Sequence, residues 1–293
     1  MPDESWTILK LLQWTTSYFE ERSVAEPRTS AEVLLAHVLR QDRLFLYLNY
    51  DRPMETRELS AFRECVKRRA AGEPSQYITG TQEFWSLPLQ VSPDVLIPRP
   101  ETELLVEAVL EFVRGNNAIR TNLRILDLGT GSGAIAIALA KEMSTAEIVA
   151  IDLSTAALRL ARENAHRHKL GGRIHFVRGD LLAGIPVCAE GFNVVVTNPP
   201  YVSQTEFQRL PREIRNHEPR HALDGGPDGL AVISCIVKEA PGLLRPSGGL
   251  FLEMGAGQSG IVSKQVARNK QYRYSYILRD YSGLDRVLVA EKS

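Results

Sequence analysis

Residues 124–133 read RILDLGTGSG, an apolar strand pattern that runs directly into a loop with glycine at every second position. Glycine adopts backbone angles that other residues avoid, and it lets the backbone approach a ligand closely. The apolar pattern from Ala134 predicts a helix directly after the loop, and a helix N-terminus offers free N–H groups. The pattern is typical of a loop that binds a nucleotide-like ligand, although a tight strand–helix turn without a ligand has a similar composition.

Acidic residues end the next two predicted strands. Asp152 lies 23 residues after Gly129, where a carboxylate can accept both hydroxyls of an adenosine ribose. A strand-end Asp often caps the following helix instead, but Ser154 can fill that role here. Asp180 ends the third strand, where a carboxylate can accept the amine of an adenine while Leu181 packs on the ring. Together the two acids favour an adenosine ligand.

The hydrophobic pattern alternates between strands and helices from about residue 100 onward, which is typical of a doubly wound α/β sheet. The predicted strands are 124–128, 148–152, 174–177, 193–197, 250–253, 272–279 and 285–291. The predicted helices are 101–114, 134–142, 155–168, 228–244 and 258–268. The last two strands follow each other closely enough to form an antiparallel pair.

The spacing of the loop glycines distinguishes between the possible adenosine-containing ligands. Dinucleotide loops read G-x-G-x-x-G, whereas this loop reads G-x-G-x-G and continues with Ala134, which disfavours NAD. The loop is similar to the S-adenosylmethionine site of class I methyltransferases. That resemblance implies a doubly wound seven-stranded sheet, S-adenosylmethionine as the cofactor, and donor contacts from Gly129, Thr130, Gly131, Ser132, Gly133, Asp152, Asp180 and Leu181.

The segments before the α/β pattern differ from it in character. Residues 1–75 carry helix-spaced apolar residues, with 11 Lys and Arg against 12 Asp and Glu. Because a nucleic-acid-binding module is usually basic, we predict a small helical docking domain for another kind of partner; a stabilising cap is an equally open interpretation. Residues 76–97 alternate like strands and predict a linking β-hairpin, which leaves 98–293 as the methyltransferase domain.

The composition excludes several classes of protein. The 35 basic and 35 acidic residues balance, which argues against a nonspecific binder of phosphate backbones. No apolar stretch is long enough to span a bilayer, and the acidic start of the chain lacks the features of a secretory signal. The cysteines, Cys65, Cys188 and Cys235, are far apart and predict neither a disulfide framework nor a CxxC metal pair. The sequence therefore predicts a reduced, cytoplasmic protein.

The segment Asn198-Pro199-Pro200-Tyr201 directly follows the fourth predicted strand. Consecutive prolines fix the backbone and supply no N–H, so the Pro199 carbonyl is a rigid acceptor, and the Asn198 side-chain oxygen is a second one. Two adjacent acceptors suit a planar –NH₂ group, and Tyr201 would offer it a flat surface. The segment could also be a simple turn, since all its residues favour turns, but its place after a glycine loop and two strand-end acids predicts a substrate site.

The chain resembles the HemK/PrmC family of release factor glutamine N5-methyltransferases. The resemblance runs over almost the whole length and is carried by segments 80–85, 97–103 (IPRPETE), 129–133, 198–201 and 218–223 (EPRHAL). It implies that Asn198, Pro199, Pro200 and Tyr201 hold the glutamine amide of the Gly-Gly-Gln motif in class I peptide-chain release factors. It also implies that Asn198 contacts the donor and that no metal is needed.

Other interpretations remain open at this point. The Asn-Pro-Pro-Tyr motif is shared with adenine-N6 and guanine-N2 nucleic-acid methyltransferases, although the neutral charge disfavours a direct nucleic-acid substrate. A non-catalytic sensor of an adenosine ligand is a third possibility. Arg99 could lie near the donor carboxylate, and Arg220 could either hold the substrate loop in place or contact the substrate. Segment 97–103 also has the composition of an ordinary helix start.

Overall fold

The computed structural model of the protein describes residues 6–116, 122–182 and 191–293. It contains two compact units. The helical unit comprises the chain up to Thr81 together with Pro211–His217, and the larger unit comprises Gln82–Leu210 and Glu218–Ser293. Within the described ranges, no helix is both long enough and apolar enough to cross a bilayer.

The predicted helices and strands occur in the predicted order, and the structure adds short helices at Arg43–Leu48, Ser75–Thr79, Gln204–Phe207 and Arg212–His217 that the hydrophobic pattern did not predict. The helices are α1 (Ile8–Glu20), α2 (Pro27–Leu39), α3 (Arg43–Leu48), α4 (Thr56–Ala70), α5 (Ser75–Thr79), α6 (Glu103–Gly115), α7 (Ala134–Glu142), α8 (Thr155–Arg167), α9 (Gln204–Phe207), α10 (Arg212–His217), α11 (Ala231–Glu239) and α12 (Ser259–Arg268). The strands are β1 (Thr81–Phe84), β2 (Leu87–Gln90), β3 (Arg124–Leu128), β4 (Glu147–Asp152), β5 (Ile174–Arg178), β6 (Phe192–Thr197), β7 (Leu244–Glu253), β8 (Tyr272–Arg279) and β9 (Asp285–Lys292).

The helical unit consists of capped helices around an apolar core. The Asp42 side chain accepts a backbone N–H at the start of α3, and Glu55 and Glu58 form a capping box at the start of α4. Arg69 of α4 is buried and forms an ion pair with Glu213, which ties α10 to this unit. The fully buried apolar side chains of the core include Ile8, Leu12, Phe19, Leu34, Leu35 and Leu46.

The larger unit is built on a sheet that has seven strands in the described part of the chain, in the order β5-β4-β3-β6-β7-β9-β8. Strands β3 to β7 are parallel to one another, while β9 pairs antiparallel with both β7 and β8. This topology confirms the predicted class I methyltransferase fold. The strand order reverses between β3 and β6, and a crevice forms outside the carboxyl ends of strands at such a point.

Apolar helices cover both faces of the sheet, so its central strands are buried and read as nearly continuous apolar runs. On one face α6 and α7 contribute buried side chains that include Leu105, Val109 and Ile137. On the other face α11 and α12 contribute Ile233, Ile236 and Val262.

The β1–β2 hairpin forms as predicted, but the proposed boundaries around it need correction. Phe84 and Leu89 are buried in the core of the larger unit. The Asn164 side chain also exchanges two hydrogen bonds with the backbone of Gln90, at 2.7 and 3.0 Å. The hairpin therefore folds with the larger unit instead of forming a separate linker over 76–97. The helical unit extends from the predicted residue 75 to Thr81.

Candidate active site

A cavity of about 420 Å³ lies at the carboxyl ends of the parallel strands. This volume is within the range of small-molecule sites. Nine of the predicted site residues line it: Gly129, Thr130, Gly131, Ser132, Asp152, Asp180, Leu181, Asn198 and Pro200. The predicted residues Gly133, Pro199 and Tyr201 are not among its lining residues. The fold thus gathers residues from four strand ends around one space.

The glycine loop adopts the conformation that its sequence indicates. Gly129, Gly131 and Gly133 all have positive φ, at 70°, 55° and 84°. A Cβ atom on Gly133 would lie only 3.1 Å from the Ile137 side chain and 3.2 Å from Ala161. Gly133 therefore permits close packing of α7 and α8 behind the loop, while Gly129 and Gly131 face the cavity.

The carboxylate of Asp152 connects β4 to the glycine loop. One of its oxygens accepts the Gly131 N–H and the other accepts the Ser154 N–H, both at 2.9 Å. Ser154 caps α8 by accepting the Ala157 N–H, so capping does not depend on Asp152. Because a carboxylate oxygen can accept more than one hydrogen bond, Asp152 retains acceptor capacity toward the cavity.

Asp127 is fully buried beneath the loop and was not predicted as a site residue. It accepts a 2.6 Å hydrogen bond from the Thr130 hydroxyl, which fixes the side chain of a cavity residue. Burial raises the pKa of the Asp127 carboxyl to about 7, and the hydrogen bond from Thr130 partly opposes this effect.

The Asn198–Tyr201 corner presents its residues in different directions. The Asn198 side chain is half-buried at the cavity wall, and its Nδ2 donates to Thr102 Oγ1 at 3.0 Å. Pro199 is buried behind the wall, while Pro200 lines it. Tyr201 turns toward Glu253, to which its hydroxyl donates at 3.2 Å, and burial raises the pKa of this hydroxyl. The ring of Tyr201 packs against the core of the larger unit.

A glycine segment supports this corner from behind. Val202 exchanges backbone hydrogen bonds with Leu223 and Gly225, each 2.9 Å long. Gly229 has a φ of 76°, and a Cβ atom there would lie 2.3 Å from the Tyr201 carbonyl oxygen. Only glycine fits so close an approach, which explains the glycines that follow the EPRHAL segment.

The two motif segments 97–103 and 218–223 lie together at the cavity. The Glu218 carboxylate is buried, pairs with the Arg99 guanidinium at 2.5 Å and accepts the Ile97 N–H at 3.3 Å. Arg99 lines the cavity, consistent with its predicted place near the donor. Arg220 is largely exposed and pairs with Asp224, so it is not a lining residue. Across the described residues, no three His, Cys, Asp or Glu side chains cluster as a metal site requires.

Glu253 is a buried carboxyl group that the sequence did not single out. Only 1% of it is exposed, and it accepts hydrogen bonds from Thr102 and Tyr201. Burial raises the pKa of the Glu253 carboxyl from 4.5 to about 7, against the opposing effects of the Thr102 hydrogen bond and the Arg286 charge. The folded protein therefore binds a proton here between pH 4.5 and 7 that the unfolded chain does not bind.

This difference predicts that Glu253 makes the fold less stable as the pH rises through that window. Relative to Glu253→Gln, the free energy of unfolding of the unmodified protein should fall by roughly 2–3 kcal/mol between pH 4.5 and 7. Urea unfolding of both proteins over this pH range measures the difference between their free energies of unfolding. Asp127 titrates in both proteins, so its contribution cancels from this difference. Parallel stability curves would contradict the raised pKa of Glu253.

Comparison with known proteins shows similarity over both units. Residues 10–80 match the family model of the PrmC N-terminal domain, and residues 101–259 match that of the methyltransferase small domain. The chain is 43% identical to the release factor glutamine methyltransferase of Geobacter sulfurreducens, over 97% of this chain and 96% of that protein. It is 37% identical to the protein of the same name from Rhodopirellula baltica, over 99% and 98% of the two chains.

Solved structures share the fold at lower sequence identity. The N-terminal domain of human METTL16, determined in complex with SAH, aligns with a TM-score of 0.53 and 16% identity over 87% of this chain and 93% of that one. A methyltransferase from Pyrococcus furiosus aligns with a TM-score of 0.50 and 17% identity, over 71% and 89%. These likenesses support the methyltransferase fold.

Proposed function

Because this chain belongs to the release factor glutamine methyltransferase family, we propose that its cavity holds the glutamine amide of a class I release factor beside the methyl donor. The enzyme is an S-adenosylmethionine-dependent protein-(glutamine-N5) methyltransferase. The donor, when bound, supplies an electrophilic methyl group on a sulfonium.

The donor would be held by the cavity residues of the first three parallel strands. The glycine loop would lie against its methionyl part, and Arg99 lies in the same wall. Asp152 would accept the ribose hydroxyls, while Asp180 and Leu181 would contact the adenine. Leu181 is a weaker stacking surface than an aromatic residue, so this contact contributes less to affinity.

The glutamine amide would be held by Asn198 and Pro199. An amide nitrogen is a poor nucleophile because its lone pair is delocalised into the carbonyl. The Asn198 side-chain oxygen and the Pro199 carbonyl would accept its two hydrogens, which directs the lone pair toward the methyl group and favours a more tetrahedral nitrogen. Pro200 lines the same wall, whereas Tyr201 does not line it and would contribute a planar surface only beyond the edge of the cavity.

One observation carries this proposal: Asn198 lines the same cavity as the glycine loop and Asp152. An amide nitrogen held by Asn198 is therefore next to a donor held by the loop, and proximity of this kind supplies much of the rate enhancement of a transfer reaction.

Mass spectrometry of a class I release factor tests the proposal. After incubation with the enzyme and S-adenosylmethionine, the Gly-Gly-Gln peptide should gain the mass of one methylene group, located on the glutamine side chain. A release factor with asparagine in place of that glutamine serves as the control and should stay unmodified. Methyl label on DNA or RNA, with none on the release factor, would overturn the assignment.

The helical unit would dock the release factor, and the larger unit, Gln82–Leu210 and Glu218–Ser293, would be the catalytic domain. Several large apolar side chains of this unit are exposed, including Trp6, Trp14, Leu44, Tyr47 and Leu48. Exposed aromatic residues without a basic excess suit a protein partner better than a nucleic acid. A cytoplasmic location fits the free thiols of Cys65 and Cys235; Cys188 lies outside the described residues.

A further inference from the structure

A buried hydrogen-bond network lies directly behind Asn198. Thr102 is 4% exposed and lies just before α6, and Glu253 is 1% exposed at the end of β7. The Thr102 hydroxyl donates to Glu253 Oε2 at 2.7 Å, and the Asn198 Nδ2 donates to Thr102 Oγ1 at 3.0 Å. Tyr201 donates to the other oxygen of Glu253. The network thus joins three segments that are far apart in the sequence.

The network has a fixed direction when the Glu253 carboxyl is ionised, which requires a pH above its raised pKa of about 7. An ionised carboxylate has no proton to donate, so Glu253 takes the single proton of the Thr102 hydroxyl. The Thr102 oxygen is then left as an acceptor and requires a donor from Asn198. Of the two ends of the Asn198 carboxamide, only the –NH₂ group can satisfy it, which leaves the Oδ1 oxygen available to the cavity.

We infer that Thr102 and Glu253 are positioning residues for methyl transfer, because they determine which end of the Asn198 carboxamide meets the substrate. This inference rests on the proposed function, in which Asn198 accepts a hydrogen from the glutamine amide. With the carboxamide flipped, its –NH₂ group would face the –NH₂ group of the glutamine, donor against donor. Glu253 does not line the cavity; it reaches Asn198 through Thr102, and its other oxygen accepts the hydroxyl of Tyr201.

Four variants, assayed above pH 7, test the inference. Thr102→Val removes the acceptor, and Glu253→Gln can donate to Thr102 and so reverse the network. Both should lower kcat for release factor methylation about 10- to 100-fold, with donor affinity changed less than about threefold. Thr102→Ser keeps the hydroxyl and should stay within about threefold of the unmodified enzyme.

Thr197→Val is the matched control, because it also deletes a buried hydroxyl next to this corner. The Thr197 hydroxyl donates to the Leu128 carbonyl at 2.9 Å, whereas the Asn198 side chain donates to Thr102. Thermal unfolding of all four variants measures how much stability each change costs. The control should lose stability comparable to Thr102→Val and keep its kcat.

The outcomes separate the two proposals. If the unmodified enzyme leaves the Gly-Gly-Gln glutamine unmethylated, the proposed function fails. If it methylates the glutamine but Thr102→Val retains full kcat, only the positioning role is overturned. An equal fall of kcat in Thr197→Val and Thr102→Val would also overturn that role, since the effect would then come from loosening of the strand end.

Discussion

Asn198→Ala should lower kcat/KM for methylation of the release factor about 30- to 1000-fold, equivalent to roughly 2–4 kcal/mol of transition-state stabilisation. The substitution removes one of the two acceptors that would hold the reacting amide. It also leaves the Thr102 hydroxyl oxygen without its donor. Steady-state assays with labelled donor measure the rate, and titration calorimetry with S-adenosylhomocysteine should show a smaller change in affinity.

Asn269→Ala is a suitable control for this experiment. Asn269 belongs to the same unit, and its side chain donates to the Val237 carbonyl at 3.3 Å without lining the cavity. The control should keep the rate of the unmodified enzyme. Methyl transfer at the unmodified rate in Asn198→Ala would remove the Asn198 carboxamide from the mechanism.

Asp152→Ala should weaken donor binding about 100- to 1000-fold, because two charge-assisted hydrogen bonds to the ribose would be lost. The loss also frees the Gly131 and Ser154 N–H groups that Asp152 now holds, so the loop is less well ordered for the donor. Titration calorimetry with S-adenosylhomocysteine measures the affinity directly.

The Asp152→Ala experiment is best compared with a variant that loses a carboxylate outside the cavity. Asp42→Ala removes a helix-capping carboxylate of the helical unit that does not line the cavity, and it should leave donor affinity unchanged. If Asp152→Ala lowered kcat but bound the donor normally, the ribose assignment of Asp152 would be wrong. Loss of affinity together with normal kcat at saturating donor would support it.

The site residues on the parallel strands could be predicted because the topology brings them together. Gly129, Asp152, Asp180 and Asn198 each lie at or just after the end of a predicted strand, and the carboxyl ends of parallel strands meet at one edge of a sheet. These residues are far apart in the sequence, but their proximity could still be predicted because the alternation of strands and helices indicates the sheet itself.

The supporting residues could not be predicted in this way. Thr102 and Glu253 are 151 positions apart, and Arg99 and Glu218 are 119 apart. Neither pair belongs to a local pattern, so only the folded chain shows that they meet. Thr102 in particular lies in a segment whose composition is also that of an ordinary helix start.

Local sequence chemistry explains where the predicted elements differ from those observed. The helix predicted over 228–244 is shorter, with α11 ending at Glu239 before a single 3-10 turn. Pro241 lacks an N–H and cannot continue an α-helix, which accounts for the early end. The alternating pattern of the hairpin is clear in the sequence, but it does not show which unit the hairpin packs against. The burial of Phe84 and Leu89 is a property of tertiary packing, so the sequence alone predicts a separate linker.

The membership of α10 in the helical unit affects how this enzyme can be re-engineered. That unit draws on two separate stretches of chain, and the buried Arg69 joins them through Glu213. A deletion that starts the protein at Gln82 would strip α10 of its ion-pair partner as well as removing the other helices. Transferring the helical unit to a different enzyme would therefore require both stretches of chain. A simple N-terminal fusion would carry only part of the helical unit.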